Sequence, residues 1–194
     1  MLVACEFSGV VRDAFLRRGH DAVSCDLVLS ESPGPHAVCD VLQILGLGWD
    51  LMIAHPPCTH LAVSGAAWFS KKEREQAEAL DFVRSLLAAP IPRIALENPV
   101  GVISSKIRKP DQIFQPWQFG ESQQKKTCLW LKNLPPLVPT KIVNKGEMVT
   151  FKSGKSMPKW YADAFRLPPQ ERAKVRNRTP LGVADAMADQ WGSL

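Results

Sequence analysis

Short apolar runs that each end on a polar or reactive side chain recur through the first hundred residues, and they restrict the fold more than any other feature of the chain. Residues 2–6 close on Glu6, residues 22–25 run into Asp26, and residues 37–39 run into Asp40. Residues 51–54 lead into His55-Pro56-Pro57-Cys58, and residues 93–96 lead into Glu97-Asn98-Pro99. Short, mostly apolar runs of this length read as strands, and the first of them as a buried one. Between them the spacing predicts helices over residues 10–18, stopped by Gly19, and over residues 71–88, with apolar residues at 77, 80, 83, 86 and 87. Strand and helix in alternation specify an α/β fold with a mostly parallel sheet. Such sheets bind ligands outside the carboxyl ends of their strands. Glu6, Asp26, Asp40, Cys58 and Glu97 are therefore expected on one rim.

After Pro99 the pattern loosens. Residues 100–126 read as irregular, residues 127–131 as a strand, residues 148–157 as a hairpin around Ser153-Gly154, and residues 181–191 as a helix after Pro180. Residues 101–160 carry 11 Lys and Arg against 3 Asp and Glu, whereas residues 1–100 carry 8 against 12 and residues 161–194 carry 5 against 4. The expected organisation is a core over 1–100, the end of the core plus a small basic region over 101–160, and a segment over 161–194 that returns to the core. A concentrated positive field suits a phosphate backbone, because each neutralised phosphate releases a counterion. A solvated basic surface is the plainer alternative. The aromatics Phe114, Trp117, Phe119, Trp130, Phe151 and Trp160 fit either base stacking or the core of a small subdomain.

With 194 residues, 45% of them hydrophobic, the chain can bury one full core. It has no apolar run of membrane-spanning length, and its first residues do not read as a secretory leader. Five scattered cysteines without a CxxC argue against a disulfide framework or a structural zinc site, so a reducing cytoplasm is the expected compartment. His55, Cys58 and His60 are close in sequence but match no common zinc spacing, so no metal is expected. Gly154-Lys155-Ser156 lacks the rest of a phosphate-binding loop and is expected at the hairpin tip.

Cys58 follows two prolines at a strand end, which holds a thiol rigidly at the rim; a buried structural cysteine is the other reading of that residue alone. Glu97 follows 39 residues later, at the end of the next expected strand. Together they suit one reaction. C5 of cytosine is too weak a nucleophile to take a methyl group directly. Thiolate attack at C6 with protonation of N3 by a carboxylic acid makes C5 enamine-like, and loss of the C5 proton and the thiolate then restores the ring.

These residues resemble the DNA cytosine-5 methyltransferase family in miniature. Pro57-Cys58 is similar to its Pro-Cys nucleophile motif, with Ser64-Gly65 and the helix beginning at Lys71 in the positions that follow it. Glu97-Asn98 resembles its Glu-Asn-Val motif, with Pro99 for valine. Phe7-Ser8-Gly9 looks like its Phe-x-Gly cofactor loop, although Val11 stands where a second glycine is usual. The resemblance implies a Rossmann-like class I methyltransferase sheet with a small basic insertion, S-adenosylmethionine as cofactor and DNA as partner. It implies Cys58 as nucleophile, Glu97 as N3 proton donor and Asn98 as an orienting residue. Glu6, Phe7, Ser8, Gly9, Asp26, Leu27, Asp40 and Pro56 would line the cofactor pocket. Asn177 and Thr179, in Asn177-Arg178-Thr179-Pro180, resemble the last family motif, which closes over it. Gln123-Gln124-Lys125-Lys126-Thr127 stands where the family has Gln-x-Arg-x-Arg, which leaves Lys125 as a point charge near base or phosphate. The recognition region is much shorter than the family's, so short recognition, a single-stranded target or a partner subunit are all compatible with it. So are two rival readings: C5 modification of a free pyrimidine nucleotide or of RNA, and an inactive DNA-binding homologue. The compact size suits a phage-borne or restriction-linked enzyme.

Overall fold

The computed structural model describes residues 1–63 and 72–194; Ser64-Gly65 and Lys71 lie outside the described residues. Seven strands form the main sheet: β1 (Leu2–Ala4), β2 (Val23–Asp26), β3 (His36–Val38), β4 (Leu51–Ala54), β5 (Arg93–Pro99), β6 (Gln112–Phe114) and β7 (Thr127–Lys132), in the order β3-β2-β1-β4-β5-β7-β6. The first five are parallel, and β7 runs antiparallel to both β5 and β6. The order reverses between β1 and β4, the place where an open α/β sheet offers a crevice.

Every residue of β1 and β4 is buried, which is why these strands read as unbroken apolar runs rather than alternating ones. On one face, Val3, Ile53 and Ala95 pack with Phe15, Met187 and Trp191 from helices α1 (Val10–Leu16) and α6 (Leu181–Trp191). On the other, Leu2, Met52, Ile94 and Leu96 pack with Leu80, Val83 and Leu86 of α2 (Glu73–Leu87). Each fully buried Leu, Phe or Met contributes about 1.5–3 kcal/mol relative to exposure. The Arg17–Asp185 and Arg18–Asp189 pairs between α1 and α6 are exposed and contribute little beside that packing.

Two expectations are corrected, and one open alternative is narrowed. β5 does not stop at residue 96: Glu97, Asn98 and Pro99 continue it, paired with Leu129, Cys128 and Thr127 of β7. Residues 100–126 are not wholly irregular, since β6 and a short helix α3 (Ile103–Lys106) fall there. Phe114, Phe119 and Trp130 are buried, and the first two meet edge to face, so they belong to the core and are closed to bases. Only Phe151 of the six aromatics is largely exposed, while Trp117 and Trp160 are half-buried.

The hairpin is as expected, with β8 (Met148–Thr150) and β9 (Ser156–Pro158) joined through Gly154 at φ 78. Two further helices, α4 (Lys159–Ala164) and α5 (Pro169–Asn177), accompany it. Residues 141–178 hold ten Lys and Arg against three Asp and Glu. Among the described residues no helix is long and apolar enough to cross a membrane.

Candidate active site

Backbone pairing of β4 with β5 ends at Ala54 opposite Leu96. Side chains continue the same register for two more residues. His55 Nδ1 lies 3.0 Å from Glu97 Oε2, and Asn98 Nδ2 donates to the Pro56 carbonyl at 2.8 Å. Asn98 is almost fully buried, so its amide is committed to holding the Pro-Pro-Cys turn. Beyond the prolines, the Cys58 carbonyl accepts from the amides of Leu61 and Ala62, and Val102 N donates back to the Leu61 carbonyl. These bonds, with two prolines that fix their own φ, hold the turn carrying Cys58 against the strand carrying Glu97.

The charges act against one another. Burial raises the Cys58 thiol above its ordinary range and Glu97 raises it further, while Lys125 and Arg176 pull it down without reversing the shift. Burial also pushes Glu97 upward, but the His55 hydrogen bond and the Lys125 charge outweigh it and leave the carboxyl below its usual value. The His55 side of the strand end thus favours the carboxylate form of Glu97. Lys125 donates to the Arg176 carbonyl at the end of α5, at 2.8 Å, and acts on the pair as a nearby positive charge.

Of the expected cofactor residues, Glu6, Phe7, Ser8 and Gly9 follow β1, Asp26 and Leu27 stand at the end of β2, and Asp40 follows β3. Glu6 does not face outward. Its buried carboxylate accepts from Val11 N at 2.7 Å, Arg12 N at 3.2 Å and Ser8 Oγ at 3.3 Å, and so caps α1. Phe7 and Gly9 form the turn into α1, with Gly9 at φ 73. Asp26 ends β2 with its carboxylate on Val28 N, and Leu27 beside it is 73% exposed. Asp40 follows β3 and caps a short turn through Leu42 N at 3.0 Å. Pro56 is buried, with its carbonyl held by Asn98. At the far end of the chain, Asn177 ends α5 and Thr179 is buried. Arg178 and Lys174 both pair with Glu31, whose own amide donates to the Phe7 carbonyl, so this segment is tied to the turn after β1.

Sequence reasoning missed four participants. His55 was weighed only as a metal ligand. Arg176 and Glu31 had no motif to mark them. Arg12, which no motif marks, is fully buried, and all five of its donors are used. They reach Asp13 Oδ1, Ser24 Oγ, Ser30 Oγ and the carbonyls of Ser32 and Pro33, which fixes the loop between β2 and β3. Among the described residues no group of three or more His, Cys, Asp or Glu is placed to hold a metal ion.

No protein-family model matches the chain, and no curated protein matches it either. Among solved structures, one that matches is described as a candidate DNA modification methyltransferase encoded within a prophage of E. coli, at 16% identity and a TM-score of 0.42. The match covers 74% of this chain and 52% of that one, so the chain spans about half its length. A likeness of that size says nothing of substrate or chemistry.

Proposed function

We propose that the chain is an S-adenosylmethionine-dependent methyltransferase acting on C5 of cytosine in DNA. The observation that carries this reading is the linked pair of strand ends: a thiol on the β4 turn and a carboxyl on β5, tied by the His55–Glu97 and Asn98–Pro56 bonds. Cys58 would add to C6 as the thiolate while Glu97 gives a proton to N3. C5 then takes the methyl group, its proton is lost to water, and expulsion of the Cys58 thiolate with return of the N3 proton to Glu97 restores the neutral aromatic ring. Cys58 rests as a thiol and Glu97 as a carboxylate, so the pair carries the proton on the wrong partner between turnovers. Moving that one proton from sulfur to carboxyl sets both groups for the reaction, and Lys125 and Arg176 assist by stabilising the thiolate.

The cofactor rim fits S-adenosylmethionine on the chemistry of its donors. Dinucleotides place their phosphates on the amides at the start of the first helix. Here the Glu6 carboxylate already occupies the amides of Val11 and Arg12, which repels a phosphate and leaves the place to a ligand without one. Asp26 and Asp40 are acceptors for ribose hydroxyls and the adenine edge, and the acidic rim suits a sulfonium cation. When bound, the cofactor supplies an electrophilic methyl group. Phe7, Ser8, Gly9, Leu27, Asn177 and Thr179 would complete its pocket.

Methylation of a free pyrimidine nucleotide is a second reading, favoured by the burial of Phe114, Phe119 and Trp130, which removes half of the aromatics available to stack bases. One experiment separates the two: transfer of labelled methyl to duplex DNA, single-stranded DNA and dCMP, with Cys58→Ser as control. Label in DNA cytosine that the variant abolishes supports the proposal. Label in dCMP alone supports the second reading, and no label with cofactor bound defeats both.

A further inference from the structure

We propose that His55 is a positioning residue: its Nδ1–H grips Oε2 of Glu97, and Oε1 is thereby the single oxygen turned to the base. This rests on the methyltransferase reading of Glu97. The histidine is fixed from three directions. Its amide donates to the Ala4 carbonyl of β1 at 2.9 Å. Pro56 behind it confines its backbone to the extended region. Its ring meets the β5 carboxyl at 3.0 Å, with the two side chains only 11% and 15% exposed. A carboxylate can only accept, so the proton of this bond belongs to Nδ1. Nε2 is buried and, among the described residues, has no hydrogen-bond partner. The ring's engagement with the described residues is therefore on its Nδ1 side. What the ring does is hold one oxygen of one carboxyl. Among the described residues, Oε1 accepts no hydrogen bond, which leaves it open to N3.

The same bond decides the charge of Glu97 together with Lys125, which reaches it from the lead into β7. Cys58 on the β4 turn and Cys128 on β7 also face the carboxyl, and both are disfavoured as thiolates by it. Replacing His55 alters none of these three.

His55→Ala removes the grip, and His55→Asn restores a single N–H near the place of Nδ1. Two readouts test the proposal. The first is the carboxyl carbon resonance of Glu97, identified by its loss in Glu97→Gln and followed against pH. Its midpoint should rise in His55→Ala and stay near wild type in His55→Asn. The second is methyl transfer to DNA, where His55→Ala should lower kcat about 100-fold with KM for DNA and cofactor affinity little changed, and His55→Asn should recover to within about tenfold. An unmoved midpoint in His55→Ala, or equal damage in the two variants, overturns the proposal and reduces His55 to packing. If the midpoints behave as expected but the wild-type protein methylates no substrate, the grip on Glu97 stands and the methyltransferase reading falls.

Discussion

Replacing Arg12 by methionine should destabilise the protein by about 3 kcal/mol and loosen the cofactor rim with it. The guanidinium is fully buried between two glycines, and a Cβ on Gly9 or Gly34 would come within 2.5 or 2.9 Å of it. Gly9 sits at φ 73 and Gly34 at φ 147, so neither position welcomes another residue. Methionine fills the volume but leaves Ser24 Oγ, Ser30 Oγ and two carbonyls without the donor they face. Breaking a buried ion pair costs about 3–5 kcal/mol. The low end applies because the Asp13 side chain keeps 29% of its surface in water and can rehydrate. Arg12→Lys retains the charge with at most three donors and no planar fork, and should lose about 2 kcal/mol. Urea unfolding measures both, and cofactor affinity in the folded variants should fall as the loop between β2 and β3 becomes free to move. A loss below about 1 kcal/mol in Arg12→Met would refute the argument, since it would mean that the five bonds are replaced by water at no loss.

Three other outcomes are expected. Lys174 lowers the Glu31 carboxyl first and Arg178 adds to it. That contribution is complete above the unfolded value near 4.3 and lost as pH falls through the lower folded one, so α5 should open more often in that acid window, and Glu31→Gln should raise its opening modestly at neutral pH; amide exchange of α5 reads both. Glu97→Gln removes a charge that raises the Cys58 thiol, and Lys125→Met removes one that lowers it; alkylation of Cys58 at pH 8 should quicken in the first and slow in the second. Changing Lys152 and Lys155 at the hairpin tip to serine should weaken DNA binding alike for all sequences and reduce the slope of log affinity against log salt by about 2.

Where burial alone decided local structure, the sequence was legible. β4 falls on its expected residues because all four are buried and a polar residue flanks each end. β1 was legible for the same reason, since Leu2, Val3 and Ala4 are all buried, whereas β3 has no buried residue and was marked only by its short apolar run before Asp40. Glu97-Asn98-Pro99 was not legible as strand, because none of the three favours a strand and only pairing with β7 makes them one. α5 buries no residue, so it leaves no apolar period to read. Arg12 looks like any charge on a helix, and nothing local tells that serines and carbonyls some twenty residues on will surround it. His55 could have been found. The expected strands 51–54 and 93–96 share an offset that sets residue 55 opposite 97 and 56 opposite 98, the two contacts that link the site.

The central claim is that Cys58 forms a covalent bond to the pyrimidine. Incubation with S-adenosylmethionine and DNA carrying 5-fluorocytosine tests it directly, because fluorine at C5 cannot leave as a proton and the adduct cannot resolve. Intact mass should show one protein joined to one DNA strand, with the link mapped to Cys58 and absent in Cys58→Ser. Methyl transfer to ordinary DNA with no such adduct, or an adduct that persists in Cys58→Ser, would contradict the account.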